Sequence, residues 1–339
     1  MGIYAGIDLH SSNNYLALID EEGKQVYKRR LPNELREILE VLENYREEIA
    51  GVVVESTYNW YWLVDGLMEA GYDLHLANPA GMQKYSGLKH CDDSSDALWL
   101  AEMLRLEVLP EGYIYPRETR PLRDLLRKRS HLVKLRTGLI LSLQSMIARN
   151  LGIRVKGAEL SRRTAEYQER YWSGEHDLSL IAKANLAVID SLDRQIKLIE
   201  KTARGKLKIR EGYRQLLSIP GVGHIIGMTI ELETGPISRF RQVGNYVSYC
   251  RKVNSEWTSN DKVKGSGNRK NGNRYLAWAF SEAAEFARRY NDSCRRFYNR
   301  KLNQGHVMVA RSALAHKLAR AAYYIMRDNV TFDERKLFS

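Results

Sequence analysis

Four carboxylates have the types and spacing to do chemistry: Asp8 in Gly-Ile-Asp-Leu-His, Glu55 in Val-Val-Val-Glu-Ser, and the pair Asp93 and Asp96 in Asp-Asp-Ser-Ser-Asp-Ala. Asp8 interrupts the apolar run that opens the chain, and Glu55 ends another. Asp93 and Asp96 stand three apart at the start of a helical pattern, so both project from one face. An acid inside an apolar strand is costly unless it is paired or bound to a cation. Four acids gathered by a fold do not all stay ionised without one. An oxygen-only, charge-rich set suits Mg²⁺ or Mn²⁺, and such metals serve phosphoryl transfer on nucleic acid. Each acid also has a plainer reading. Asp93 suits a helix N-cap, Asp96 a first-turn acid facing the helix dipole, and Glu55 a strand end beside a lysine. His10 and His90 lie near these motifs, where a surface or hydrogen-bonded structural role outweighs acid–base help.

The elements that must position these acids follow from periodicity. Residues 3–9, 14–20 and 24–31 read as strands, with Glu21-Glu22-Gly23 turning between the second and third. Leu35, Ile38, Leu39, Leu42 and Tyr45 give helical spacing over 33–48 behind Pro32-Asn33. Residues 51–55 read as a strand, 59–70 as a helix, 72–77 as a strand and 93–107 as a helix. The order βββαβαβα predicts an α/β domain with a mixed sheet, similar to the RNase H-like fold, over residues 1–115. Pro110, Pro116 and Pro121 mark its end.

Beyond that boundary, Leu125, Leu132, Leu139 and Met146 recur every seven residues, flanked by Leu126, Val133, Ile140 and Ile147. A second seam runs through Ile189, Leu192, Ile196 and Ile199. Two long amphipathic helices with a polar connector predict an α-hairpin or coiled-coil arm over 116–208. Arg123, Arg127, Lys128, Arg129, Lys134 and Arg136 stud its first helix, where a solvated helix face explains such charges as well as nucleic acid does.

Residues 209–339 read as a mostly helical unit. Leu216 to Gly223, followed by the apolar Ile225 to Ile230, has the form of a helix-hairpin-helix. Its backbone N–H groups at Gly221 and Gly223 can face a phosphate. The tract 251–274 is basic and rich in Gly and Asn, and contains Ser255, Ser259 and Ser266. It suits a flexible linker or a loop presenting a serine nucleophile, and composition leaves both open.

The chain has 339 residues, 53 Lys and Arg against 41 Asp and Glu, and net charge +12. The first 110 residues hold 9 basic and 19 acidic side chains, the remainder 44 and 22. An acidic front and a strongly basic back place catalysis in front and polyanion binding behind. The scattered Cys91, Cys250 and Cys294 offer neither metal spacing nor a disulfide framework, as expected of a reducing cytosol. We expect no signal peptide, membrane span or myristoylation signal.

Taken in order, these features resemble the DEDD-type insertion-sequence transposases, the family that includes the pilin-gene invertase. The resemblance runs over essentially the whole chain. The family's first motif places an aspartate after Gly-Ile, as Asp8. Its second acid ends a Val-rich strand before a small residue and an aromatic-bearing helix, as in Glu55-Ser56-Thr57-Tyr58. Its third motif, Lys-Thr-Asp-x-x-Asp-Ala after Asn-Pro, matches Asn78-Pro79 and Cys91-Asp92-Asp93-Ser94-Ser95-Asp96-Ala97, with Cys-Asp replacing Lys-Thr. Ile219-Pro220-Gly221-Val222-Gly223 matches the helix-hairpin-helix, and Lys270-Asn271-Gly272-Asn273-Arg274-Tyr275-Leu276 matches Lys-x-Gly-Asn-x-x-Leu. Family members usually carry Ser-Gly-Gly in the preceding loop. This chain has Ser259-Asn260-Asp261, which makes Ser259 the assigned nucleophile and Ser255 the reserve.

The resemblance implies a resolvase-like RNase H domain joined through a coiled coil to a C-terminal transposase domain. It implies a cytoplasmic prokaryotic enzyme that cuts and exchanges DNA strands. Asp8, Glu55, Asp93 and Asp96 would hold Mg²⁺, with Mn²⁺ possible, and Ser259 would form a phosphoserine link. Donor and target DNA, a structured noncoding guide RNA and a homo-oligomer (dimer or tetramer) are its implied partners. Gly221, Gly223, Arg123, Arg127, Lys262, Lys264, Arg269, Lys270 and Arg274 are the expected nucleic-acid contacts. A stand-alone junction resolvase using water is the main alternative. An actin-like ATPase lacks its second phosphate loop here, and a non-enzymatic nucleic-acid binder leaves the four acids unexplained.

Overall fold

A computed structural model of the protein describes residues 2–82, 93–160, 176–207, 211–253, 256–260, 262–266 and 271–337. The chain divides into two compact units, Met1–Arg117 and the pair of segments Glu118–Ser266 and Gly272–Ser339. The first unit is a mixed α/β sheet domain and the second is mostly helical.

In the first unit, β1 (Ile3–Leu9), β2 (Asn13–Ile19), β3 (Gln25–Pro32), β4 (Ile49–Glu55) and β5 (Leu74–Ala77) form one sheet in the order β3-β2-β1-β4-β5. The pairs β1–β2 and β2–β3 are antiparallel, while β1–β4 and β4–β5 are parallel. β1 is central and nearly continuous in apolar residues because both of its faces are covered. Ile3, Ala5, Ile7 and Leu9 join Val52 and Val54 in one core, together with Ile38 and Leu42 of α1 (Leu35–Glu43) and Leu63, Val64 and Leu67 of α2 (Tyr61–Glu69). On the opposite face Val53 and Ala77 pack with Leu100 and Leu104. A single turn, α3 (Pro79–Met82), follows Asn78, and Leu100 and Leu104 belong to α4 (Asp93–Arg105).

The expected helix over 33–48 stops at Glu43, and residues 44–48 turn into β4. Gly23 sits at φ +82, as the turn after Glu21-Glu22 requires, and the Gly23 N–H donates to the Asp20 carbonyl at 3.0 Å.

The second unit opens with two 32-residue helices, α5 (Arg120–Leu151) and α7 (His176–Leu207), with the short α6 (Gly157–Leu160) after the first. Leu143, Met146 and Ile147 of α5 pack on Ala182, Leu186 and Ile189 of α7. Arg129 pairs with Glu200 at 2.7 Å and Arg136 with Asp193 at 2.6 Å, so the helices run antiparallel. The seven-residue apolar seam read from the sequence is therefore packing within the chain along this stretch.

The helices α8 (Glu211–Leu216), α9 (His224–Thr234), α10 (Val243–Tyr249), α11 (Arg274–Tyr290), α12 (Asp292–Leu302), α13 (Val307–Asp328) and α14 (Glu334–Leu337) complete the unit. Its core joins Tyr246, Leu276, Phe280, Ala283, Leu314 and Leu318. Between α10 and α11 the tract read as linker or loop holds a two-stranded hairpin, β6 (Glu256–Ser259) and β7 (Lys262–Ser266). No described helix is long and apolar enough to cross a membrane.

Candidate active site and nucleic-acid interface

Parallel pairing aligns Gly6 with Val53 and Ile7 with Val54, so Asp8 and Glu55 are the next residues of adjacent strands at their carboxyl ends. Successive side chains alternate between faces. Asp8 therefore shares a face with Gly6, and Glu55 with Gly51 and Val53. This is the face covered by α4: a methyl group on Gly6 would meet the Ala97 carbonyl oxygen at 2.0 Å, and one on Gly51 would meet Leu104 at 3.2 Å. Passing from Gly51 toward Gly6 and its partner Val53, the contacting residues of α4 step back from Leu104 to Ala97. The first turn of α4 thus extends over the strand ends where Asp8 and Glu55 lie. Asp93 is its first residue and Asp96 lies one turn in, half-buried. The Asp93 side chain lies outside the described residues.

Asp8 is 3% exposed, and its Oδ2 stands 3.3 Å from His10 Nε2. The His10 backbone is held firmly. Its N–H donates to the Asn13 carbonyl at 2.9 Å, and its own carbonyl accepts from Asn33 Nδ2 at 3.0 Å and Asn59 Nδ2 at 2.9 Å. Thr57 Oγ1 donates to Asn59 Oδ1 at 2.9 Å, which ties the segment after Glu55 into the same corner. Asn59 was not singled out from the sequence, and Asn33 was read only as part of the start of α1, whose N-cap is Glu34. Among the described residues no three His, Cys, Asp or Glu side chains are close enough together to hold a metal ion. The donor chemistry of the expected set, all carboxylate oxygen with one nearly buried member, fits a hard divalent cation.

Ser259 is the last residue of β6 and pairs with Lys262, the first of β7. Its side chain lies outside the described residues, as do the whole of Ser255, Arg269 and Lys270. Asn260, at the hairpin tip, has φ +51. Asn tolerates this left-handed conformation better than most residues, so it can do the work of a glycine after the serine. Lys262 and Lys264 are exposed along β7.

The segment α8–turn–α9 places Gly221 and Gly223 differently. Gly221 has φ +81, and a methyl group there would lie 2.1 Å from the Ala283 carbonyl oxygen of α11. Gly223 is the N-cap of α9 and has open space where a side chain would stand. The first glycine is required by packing, while the second leaves the helix N-terminus accessible.

Arg123 and Arg127, expected on nucleic acid, are both held by Glu233 of α9. Arg123 is 7% exposed and its Nε donates to Glu233 Oε2 at 3.0 Å. Arg127 donates through Nε to Oε1 at 2.6 Å and through its terminal nitrogen to Oε2 at 2.8 Å. Glu233 itself is 2% exposed. Burial pushes its carboxyl pKa up, but the hydrogen bond from Arg127, the charges of Arg123 and Arg127 and the hydrogen bond from Asn273 outweigh it, so the pKa ends below the usual range. A buried carboxylate so bound makes these arginines part of the fold.

Arg274 remains exposed at the start of α11. It donates to the Tyr275 hydroxyl at 2.9 Å and lies 4.9 Å from that ring's centre, while Arg127 lies 4.6 Å from it. Arg129, Val133, Lys134, Arg274, Tyr275 and Trp278 line a cleft of about 160 Å³ between α5 and α11. Cations around two aromatic rings are the components with which proteins bind unpaired nucleotides.

The family model of DEDD transposases of the IS110 type, described as a transposase, matches residues 5–149. The model of the transposase IS116/IS110/IS902 family matches residues 213–299. The chain is 23% identical over 287 residues to the transposase for insertion sequence element IS1111A of Coxiella burnetii, covering 80% of this chain and 74% of that one. The first match takes in Asp8, Glu55, Asp93 and Asp96, and the second takes in the glycine turn and Ser259.

Proposed function

Since the chain belongs to the DEDD-type insertion-sequence transposases, a family of DNA-cutting recombinases, we propose that it exchanges DNA strands through a serine–phosphate intermediate. Asp8, Glu55, Asp93 and Asp96 form the acidic site of a resolvase-like RNase H domain, and Ser259 is the nucleophile. The observation that carries this reading is the convergence of Asp8, Glu55 and the first turn of α4 at one end of the sheet, fixed by the backbone contact of Gly6 with Ala97.

A divalent cation on these acids, Mg²⁺ or Mn²⁺, would offset charge on the scissile phosphate. The Ser259 hydroxyl attacks phosphorus, the bond to the leaving sugar oxygen breaks, and that oxygen takes up a proton. The new serine phosphodiester keeps the broken bond's free energy, and an incoming strand hydroxyl reverses the step.

DNA ends and a structured noncoding guide RNA are the proposed ligands of the basic second unit. The cleft at Tyr275 and Trp278, Lys262 and Lys264 on β7, and the open N-terminus at Gly223 are the described features that support this. The acids and Ser259 belong to different compact units, so a dimer or tetramer can build the site from two copies. The exposed Leu180, Ile181, Val188 and Leu198 on α7 suit such a partner, completing an antiparallel coiled-coil arm.

The test is a denaturing gel of wild type and Ser259→Ala, incubated with Mg²⁺, the DNA ends of the source element and RNA transcribed from its flank. The expected result is a denaturant-resistant protein–DNA adduct with wild type alone. Nicked DNA without adduct in both proteins would make water the nucleophile and the enzyme resolvase-like.

A further inference from the structure

The buried Glu233 joins three elements that the proposed chemistry uses. It lies on α9, the helix that follows the glycine turn; it holds Arg123 and Arg127 of the arm helix α5; and its Oε2 accepts from Asn273 Nδ2 at 2.7 Å. Asn273 has a second task. It is the N-cap of α11, with Oδ1 accepting from Tyr275 N at 2.8 Å and Leu276 N at 3.1 Å.

Asn273 also closes the base of the serine hairpin. Its N–H donates to the Tyr249 carbonyl at 2.6 Å, so the last residue of α10 and the first turn of α11 meet directly. The Arg251 guanidinium donates to the Gly272 carbonyl at 2.8 and 3.1 Å. Gly272 has φ +84, and a methyl group on it would lie 2.5 Å from the Tyr249 carbonyl oxygen. Arg251 itself has φ +54. Both ends of the segment that carries Ser259 are therefore pinned at one place, and that place is one hydrogen bond from Glu233.

We propose that Glu233 is a positioning residue: through Asn273 it fixes the base of the hairpin to the arm helix, so that the orientation of the serine strand depends on the arm. This rests on the reading of the hairpin as the carrier of the nucleophile. The chemistry of the link favours a constraint over simple stability. Arg127 is bound by two parallel hydrogen bonds, a geometry that fixes direction as well as distance. The amide of Asn273 bonds the same oxygen that Arg123 and the Arg127 terminal nitrogen reach, so a shift of the arm helix is felt at the hairpin base. Displacements of about 1 Å far from reacting atoms cost on the order of a hundredfold in rate.

Asn273→Ser separates this role from folding, because serine caps a helix about as well as asparagine but cannot reach Glu233 with an amide. Asn291→Ser is its control: Asn291 caps α12 by accepting from Cys294 N at 2.8 Å and has no part in the hairpin. The measurements are hydrogen exchange of the β6 and β7 amides, the strand-cleavage rate, DNA affinity and the melting temperature. The expected result for Asn273→Ser is hairpin exchange faster by about tenfold and cleavage slower by ten- to a hundredfold, with DNA affinity unchanged and no greater melting loss than Asn291→Ser. Glu233→Gln should loosen the hairpin likewise; if it fails to fold, Asn273→Ser carries the test. Hairpin exchange and cleavage equal to those of Asn291→Ser would overturn the proposal. Undiminished cleavage by Ser259→Ala would instead overturn the nucleophile assignment, and hairpin exchange would still decide the link.

Discussion

Gly6 of β1 and Ala97 of α4 touch backbone to backbone. A methyl group on Gly6 would stand 2.0 Å from the Ala97 carbonyl oxygen and 2.8 Å from the Ala101 nitrogen. The glycine of the first acidic motif and the alanine of the third are thus two halves of one contact, and that contact sets the height of α4 above the Asp8 and Glu55 strand ends. Gly6→Ala should push the helix off the sheet. Overpacking a core costs about 1–3 kcal/mol, and a backbone obstacle cannot rotate away as a side chain does. The expected outcome is a lower urea midpoint together with loss of strand cleavage. Unchanged stability and cleavage would show that another contact holds α4 in place.

The four acids should respond alike to removal of charge. Asp8→Asn, Glu55→Gln, Asp93→Asn and Asp96→Asn are each expected to abolish Mg²⁺-dependent cleavage while DNA retention on a filter stays near wild type. Asp8→Asn makes the sharpest case, since its carboxylate is nearly buried with His10 at 3.3 Å. Wild-type cleavage by any one of the four would remove that acid from the site.

The two glycines of the α8–α9 turn should behave oppositely. Gly221→Ala combines a left-handed φ of +81 with a 2.1 Å clash on the Ala283 carbonyl, so we expect it to unfold the helical unit or lower its stability by at least about 1–3 kcal/mol. Gly223→Ala meets open space and an extended backbone, so it loses only the N-cap preference of glycine over alanine, about 0.5–1 kcal/mol, and thermal melts should fall much less than for Gly221→Ala. If N–H groups at this turn face a phosphate, the added methyl weakens DNA binding severalfold under conditions where the variant is still fully folded.

Much of the first unit was legible because its signals are local. The β-branched and apolar runs of β1 and β4 match their burial on both faces, and Leu35, Ile38 and Leu42 carry helical spacing without competition. The hairpin at 256–266 was not legible. Its strands are short and polar, and its turn uses Asn260 where a glycine would have announced it. The partner of Arg123 and Arg127 was not legible for a different reason: a basic helix face reads the same whether solvent, phosphate or a distant acid answers it, and Glu233 lies over a hundred residues away in sequence. The signal was nonetheless present. Glu233 sits in the apolar stretch Ile225–Thr234, and an acid in such a stretch calls for a partner, as Asp8 does.

Lys252 gives a pH-dependent prediction. It lies just before the hairpin, its Nζ donates to Ser281 Oγ at 2.7 Å, and its carbonyl oxygen lies 2.8 Å from His316 Nδ1. Burial, helped by the like charge of Arg311 and opposed by Cys250, lowers the lysine from its ordinary 10.5 to about 8. Below pH 8 the folded and unfolded chains both hold the proton, and the penalty for the buried charge is complete. Between pH 8 and 10.5 the folded protein has released a proton that the unfolded chain still binds, so this group makes stability rise with pH. Above that window the penalty is gone. With solvent screening of a side chain that is only partly buried, its size is on the order of 1–3 kcal/mol. Lys252→Met removes the charge and also a hydrogen bond worth about 1 kcal/mol. Its stability relative to wild type should therefore be most favourable near pH 7 and decline by about 1–3 kcal/mol by pH 10.5. Urea unfolding of both proteins across this range measures the difference directly, and a difference independent of pH would place the Lys252 ammonium in solvent.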